Sequence, residues 1–308
     1  MVELSNQGQE LFQEFKQGGL HTIRYNSLCR LNETTALAAH GVSLRAFKIE
    51  NNQVCEDEEL YTTLGHEVIS VLRDYKINGE TIILAVSFDG MFALIKEKES
   101  KLDVFKTGRL VDCLACIRFA SLSPDGSKII FCQEKEEGYL FIYSVAEDKL
   151  ILNLTGRYRF GEFVDEEIFL SIRKVPEKDD DKKFSNQVAR QNLKGEVLEE
   201  VMLNEPNDKL LTCHRCLDYL VFTSLGKGLH FLEMSTLKTM NLKPEGKGAR
   251  IPTIPMILGS NTQVFFKSNI CVNFNFAEPG TFREGREVLQ VDAIPPVKIH
   301  IDDLSSIV

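Results

Sequence analysis

The chain has 308 residues, of which 43% are hydrophobic and 26% charged, an ordinary balance for a protein that buries a sizeable core. Its net charge of −9 supplies no basic field. That argues against extended nucleic-acid or anionic-membrane binding and leaves proteins as the expected partners. The longest apolar run, Ile82–Val86, is far too short to span a bilayer.

Residues 5–16 place Leu11, Phe12 and Phe15 at the spacing of a short amphipathic helix, which Gly18-Gly19 ends. Residues 1–19 are therefore read as an N-terminal segment and 20–308 as one domain. No basic stretch followed by an apolar run opens the chain, so a cytoplasmic protein is expected, with no direct membrane insertion. Leu20–Tyr25 reads as an isolated strand. From there the pattern changes to short β-rich runs separated by turn residues.

The first unit places strands at Ser27–Leu31, Thr35–Ala39, Val42–Ile49 and Val54–Tyr61, with His40-Gly41 as one of its turns. In the second, Val68–Tyr75, Thr81–Phe88, Met91–Lys98 and Lys101–Thr107 are divided by Asn78-Gly79, Asp89-Gly90 and a Lys/Glu cluster. Asn-Gly and Asp-Gly are strong hairpin signals, because both accept positive φ. The third unit runs Cys116–Ser121, Lys128–Cys132, Tyr139–Val145 and Lys149–Leu154, with Ser123-Pro124-Asp125-Gly126 as its first turn. The fourth places strands at Arg157–Phe163, Glu167–Ile172, Gln187–Leu193 and Glu196–Met202. Between the second and third of these, residues 174–186 have no apolar pattern and read as a projecting polar loop carrying Glu177, Asp179, Asp180 and Asp181. The fifth unit is Leu210–Leu242 and the sixth Ile254–Ala293, leaving Val297–Ile301 as a last strand.

Units of four strands and about 40 residues have the period of a propeller blade. The expected fold is all-β: a single β-propeller of about seven four-stranded blades, six being the other count the sequence allows. The N- and C-terminal segments together supply roughly one further blade and would close the ring, removing two open edges.

Chemistry is sparse. The sequence contains no HExxH, GxSxG, Walker A or Rossmann pattern, and no acid/base pair can be nominated on a β scaffold. Two CxxC pairs, Cys113–Cys116 and Cys213–Cys216, lie far apart in sequence. They read as reduced core thiols, with a zinc site or redox activity as the alternatives. No catalytic residue, metal or cofactor is assigned. The acidic loop and the His40-Gly41 turn are the candidate partner contacts, and a non-catalytic scaffold docking several partners in a cytosolic complex is the expected function.

The second unit resembles a WD repeat: Gly65-His66 precedes its first strand and Ser87-Phe88-Asp89-Gly90 closes its second. The resemblance implies that His66 and Asp89 form the structural pair that fixes the turn in that family. Tyr143-Ser144 sits where the family has Trp-Asp, and the chain has no Trp, so the repeats are degenerate. The order of features, with Leu20–Tyr25 leading into the first unit, Arg157-Tyr158-Arg159-Phe160 opening the fourth, Glu167–Ile172 and an insertion before Gln187, is similar to one WD group. These are the ER-membrane exchange factors for the Sar-type GTPase of the COPII coat. That resemblance implies guanine-nucleotide exchange on a small GTPase as the alternative function. The family's potassium-binding loop has only Ala38–Val42 at the matching position, and no functional residue carries over.

Overall fold

The computed structural model describes residues 28–32, 35–50, 53–64, 68–111, 117–133, 138–177, 180–203, 210–216, 218–224 and 228–242. It also describes short strands at 256–257, 263–265, 270–273 and 288–290. The expected helix at 5–16, Leu20–Tyr25 and Val297–Ile301 lie outside these residues.

Among the described residues the structure is all-β, with no helix and with six four-stranded antiparallel sheets. The first sheet holds β1 (Leu28–Arg30), β2 (Thr35–His40), β3 (Ser43–Glu50) and β4 (Gln53–Thr63). The second holds β5 (Ile69–Ile77), β6 (Glu80–Ser87), β7 (Met91–Lys98) and β8 (Lys101–Arg109). The third is β9 (Ile117–Leu122), β10 (Lys128–Gln133), β11 (Tyr139–Ser144) and β12 (Lys149–Thr155). The fourth is β13 (Tyr158–Phe163), β14 (Ile168–Glu177), β15 (Asp180–Asn192) and β16 (Val197–Met202). The fifth is β17 (Leu210–Cys216), β18 (Tyr219–Ser224), β19 (Gly228–Glu233) and β20 (Thr239–Leu242). The sixth is β21 (Met256–Ile257), β22 (Gln263–Phe265), β23 (Ile270–Asn273) and β24 (Val288–Gln290). Every sheet is a meander in chain order.

The apolar pattern explains the layering. In β6 the run Ile82–Val86 is continuous because both faces of the sheet are covered. Ile83 and Ala85 pack toward the first sheet with Leu37, Leu44 and Leu72. Ile82, Leu84 and Val86 point the other way, against Ile117, Ile129 and Phe131 of the third sheet. β10 repeats the division: Ile129 and Phe131 face the second sheet, while Ile130 and Cys132 join Phe160, Phe163 and Ile172 of the fourth. The core therefore sits between consecutive sheets. β1 lies beside β5, β5 beside β9, β9 beside β13, and β17 beside β21, so the first strands follow one another along one side of the stack.

The turns obey the same local chemistry. Asn78 and Gly79 both adopt positive φ (51° and 83°), as the two-residue β5–β6 hairpin requires. Between β7 and β8 the same conformation falls on Glu99 and Ser100 (52° and 58°), which the sequence does not mark as hairpin residues.

The insertion in the fourth sheet departs from expectation. Within the expected loop at 174–186, residues 174–177 and 180–186 form the outer part of the β14–β15 hairpin instead, where Lys174 pairs with Asn186, Val175 with Ser185, Pro176 with Phe184 and Glu177 with Asp180. Ladder bonds need only backbone, so a polar sequence can continue a hairpin that a buried sheet has started. The Lys174 ammonium also lies 3.9 Å from the Phe184 ring centroid, a diagonal cross-strand contact. β13 begins at Tyr158, opposite Arg173, and β16 ends at Met202, opposite Gln187. Beyond them the hairpin runs on as a two-stranded ribbon.

Candidate functional site

The first strands of neighbouring sheets carry polar side chains into the boundaries between sheets. On β5, Ser70 Oγ donates to the Ile117 carbonyl of β9 at 2.6 Å. Three residues later, Arg73 Nη1 donates to the Ala120 carbonyl at 3.3 Å and to Glu162 Oε2 of β13 at 2.9 Å. Ser121 Oγ of β9 donates to the other carboxylate oxygen, Glu162 Oε1, at 2.5 Å. On β17, Arg215 Nη1 donates to the Phe163 carbonyl at 2.8 Å. These bonds run without a break from the second sheet to the fifth.

The centre of this network is dry. Glu162 is completely buried, and the Arg73 side chain is 10% exposed. The guanidinium lies 5.1 Å from the Phe119 ring and 5.6 Å from that of Tyr75. Burial works against the charge on Arg73, but Glu162 together with Tyr75 and Cys213 more than offsets it and raises the guanidinium pKa. Burial lifts the Tyr75 phenol to about 12 against the opposing pull of Arg73. The Cys213 thiol is pushed up by burial and further by Glu162. A paired carboxylate, a paired guanidinium, a protonated phenol and a protonated thiol form a lock. General acid–base or nucleophilic chemistry near neutral pH needs pKa values moved toward neutrality, the opposite direction.

The outer strands differ. Every exposed large apolar side chain among the described residues lies on a fourth strand: Tyr61 on β4, Phe105 on β8, Leu150 on β12, and Val197, Leu198 and Met202 on β16.

The expected site residues are placed unequally. Asp89 caps its own turn: Ser87 Oγ donates to Oδ1 at 2.5 Å, Arg109 Nη2 donates to Oδ2 at 3.3 Å, and the Met91 N–H donates back to Ser87 Oγ at 3.0 Å. The Ser123-Pro124-Asp125-Gly126 turn repeats this, with Ser123 Oγ donating to Asp125 Oδ1 at 2.6 Å and Lys128 N–H donating to Ser123 Oγ at 2.9 Å. Burial raises the Asp125 carboxyl, but the bonds from Ser123 and Ser127 outweigh it and leave it below the usual value. His66 lies outside the described residues. His40 ends β2, and Gly41 forms the tight turn into β3 at φ +61°, with His40 paired to Ser43. Glu177 falls on β14 and Asp180 and Asp181 on β15, all in the ribbon and not in a loop, while Asp179 lies outside the described residues. Cys213 is a buried free thiol on β17, as are Cys29 on β1 and Cys132 on β10. Cys216 lies on the same strand as Cys213, and Cys113 and Cys116 are outside the described residues. Among the described residues no group of three or more His, Cys, Asp or Glu could hold a metal.

Sequence reasoning missed Arg73 and Glu162. No local signal singles them out: β5 also carries Asp74 and Lys76, and β13 also carries Arg159.

No family model matches the chain, and no curated protein sequence matches it. Solved structures do. The WD40 domain of coronin from Toxoplasma gondii is similar with a TM-score of 0.54 and 10% identity, over 74% of this chain. This chain spans 59% of that coronin chain. The C-terminal WD40 domain of Sif2 is similar with a TM-score of 0.52 and 10% identity, over 83% of this chain and 82% of that one. At such identity the likeness bears on the fold alone, and the fold is WD-repeat β-propeller-like.

Proposed function

We propose that this chain is a non-catalytic protein-interaction scaffold, a WD-like propeller formed by residues 20–308 that docks several partners at once in a cytosolic complex. The observation that carries the reading is the division between a locked interior and adhesive outer strands. Buried polar bonds tie the second to fifth sheets together, while among the described residues the exposed large apolar side chains all sit on fourth strands. A rigid body with apolar side chains at its perimeter suits docking at more than one place. Propellers serve many tasks, so the step from fold to scaffold is analogy supported by this distribution. In the same reading the terminal segments close the ring, and the His66–Asp89 pair fixes a turn. The acidic residues Glu177, Asp179, Asp180 and Asp181 are a second contact element. No observation favours the exchange-factor alternative, since the β2–β3 connection is a tight turn at Gly41.

The test is affinity capture of the full chain from its native cell, with mass spectrometry and stoichiometry of the captured proteins. Several subunits in fixed ratio, insensitive to added nucleotide, are expected. A chain that purifies alone at its cellular concentration would sink the scaffold reading. A single small GTPase, enriched after nucleotide removal, would replace it with exchange.

A further inference from the structure

We infer that β16 is a docking edge for an extended protein segment with paired basic residues flanked by apolar ones, which adds to the fourth sheet as a fifth strand. The inference deepens the scaffold reading and rests on it.

Exposed sheet edges usually carry a device that prevents unintended pairing: a bulge, a lysine, a proline or a very short strand. The other outer strands have one. In β4 the register jumps from the pair Arg45–Tyr61 to the pair Ala46–Asp57, so residues 58–60 bulge out. β8 carries Lys101, Lys106 and Arg109, β12 opens on Lys149, and β20 is only four residues long. β16, with the sequence Val-Leu-Glu-Glu-Val-Met, shares with β4 a register shift, here at Leu198, but has no Lys, Arg or Pro. Among the described residues it alone exposes three large apolar side chains, where β4, β8 and β12 each expose one. Five of its six residues are exposed, and Val201 is half-buried.

The backbone of β16 is presented in a defined way. Leu203 N–H donates to the Asn186 carbonyl at 2.8 Å, and at the other end Asn192 N–H donates to the Glu196 carbonyl at 3.2 Å. Bonded and non-bonded pairs alternate along an antiparallel ladder. Counting inward from both anchors, across the register shift between Arg190 and Gln191, the N–H and C=O groups of Val197, Glu200 and Met202 face away from β15. Those are the groups an added strand would use.

The side chains define the partner. Val197, Leu198 and Met202 are 50%, 55% and 41% exposed, and a partner must cover them with apolar residues. Glu196, Glu199 and Glu200 are exposed beside them. Arg190 pairs with Glu199 at 2.7 Å and comes from the neighbouring strand, so the edge itself carries only negative charge. Successive side chains alternate faces, so Glu199 and Glu200 lie on opposite faces, each beside apolar residues. A Lys or Arg pair flanked by β-branched residues complements them, and a segment of the same acidic character is repelled.

The probes are two capped hexapeptides added to the full chain, Val-Val-Lys-Lys-Val-Val and Val-Val-Glu-Glu-Val-Val, with backbone amide exchange as the readout. In the free chain the amides of Glu200 and Met202 exchange freely while those of Val201 and Leu203 are protected. The Lys/Val peptide protects Glu200 and Met202, and the Glu/Val peptide does not. Glu200→Lys weakens the Lys/Val peptide about tenfold, and Glu200→Pro, which removes an outward N–H and no β15 bond, weakens it at least as much. Protection of Glu200 and Met202 in the free chain would overturn the inference. If it appears only at high concentration, a second copy is the occupant; if at all concentrations, another part of this chain covers the edge. Peptide protection away from β16, no peptide binding, or binding unchanged in Glu200→Lys would overturn it as well. The scaffold reading is tested separately: full-chain Glu200→Lys that keeps every captured partner removes the docking edge and leaves the scaffold standing.

Discussion

Glu162→Gln separates charge from shape at the centre of the molecule. The amide occupies the same volume and can still face Arg73 and Ser121, but the negative charge is gone. Arg73 cannot neutralise itself in compensation, because its guanidinium stays protonated in proteins. The variant leaves a nearly buried cation facing the Ala120 carbonyl at 3.3 Å and two aromatic rings. Removing one member of a buried pair costs about 3–5 kcal/mol. With an unfolding entropy of roughly 2.1 cal/mol/K per residue, that lowers the thermal midpoint of a chain this size by about 5–8 °C. Differential scanning calorimetry of the wild type, Glu162→Gln, Arg73→Met and the double variant Arg73→Met/Glu162→Met measures it. Both single changes should fall by that amount. The double variant should recover most of the loss, because an apolar pair needs no desolvation to be compensated. The loss should also hardly change between low and high salt, since buried pairs are poorly screened. A shift below about 1 °C for Glu162→Gln, or a double variant less stable than either single one, would refute the reasoning.

Three further outcomes follow from other parts of the fold. Glu99→Asn with Ser100→Gly should stabilise the chain by about 1–2 kcal/mol in denaturant unfolding, because both positions hold positive φ on residues that resist it; no gain would mean that the turn carries no strain. Gly161→Ala should destabilise by about 1–3 kcal/mol in the same assay, since an added Cβ would meet Ile130 Cδ1 at 2.6 Å and Leu140 Cδ1 at 2.9 Å between the third and fourth sheets; a neutral result would show that this boundary relaxes freely. Burial raises the thiols of Cys29, Cys132 and Cys213, so the native chain holds protons that the unfolded chain releases. Stability should be fully present below the ordinary thiol pKa near 8.5 and fall as pH rises above it, and a thermal midpoint that climbs from pH 8 to pH 10 would contradict this.

What the sequence makes legible here is local. Met91–Lys98 is the observed β7 to the residue, because a continuous apolar run bounded by Asp89-Gly90 on one side and a Lys/Glu cluster on the other leaves little freedom in where it starts and stops. The continuous run in β6 signals two covered faces before any partner sheet is known. The misses share a physical cause. The β14–β15 ribbon is held by backbone bonds that continue a hairpin begun in the core, and hydrophobic patterning is silent about them. The turn at Glu99-Ser100 is fixed by the register of the strands on either side, and not by its own residues. Arg73 and Glu162 are 89 positions apart, and nothing local to either names the other. The pair exists only because β5, β9 and β13 come together.

The same contrast bears on how a chain with degenerate repeats keeps its sheets in order. Tyr143 stands where a WD repeat has its tryptophan. It is 3% exposed, packs edge-on against Phe92 with centroids 5.5 Å apart, and donates its hydroxyl to the Asp148 carboxylate. A smaller ring thus fills the boundary between the second and third sheets and secures the turn after β11. Such substitution is tolerable for apolar packing, which is non-directional and accepts rings of similar volume. It does not by itself fix one sheet's height against the next. Directional bonds do that: Ser70 to β9, Arg73 and Ser121 to Glu162, and Arg215 to β13 each work at one register only, because a one-residue slip would carry the side chain to the opposite face. On this argument the repeat signature is free to decay while the inner-strand polar positions are not. The strands farthest from them, β4, β8, β12 and β16, are where side chains can change without disturbing the register, and they hold the exposed apolar residues.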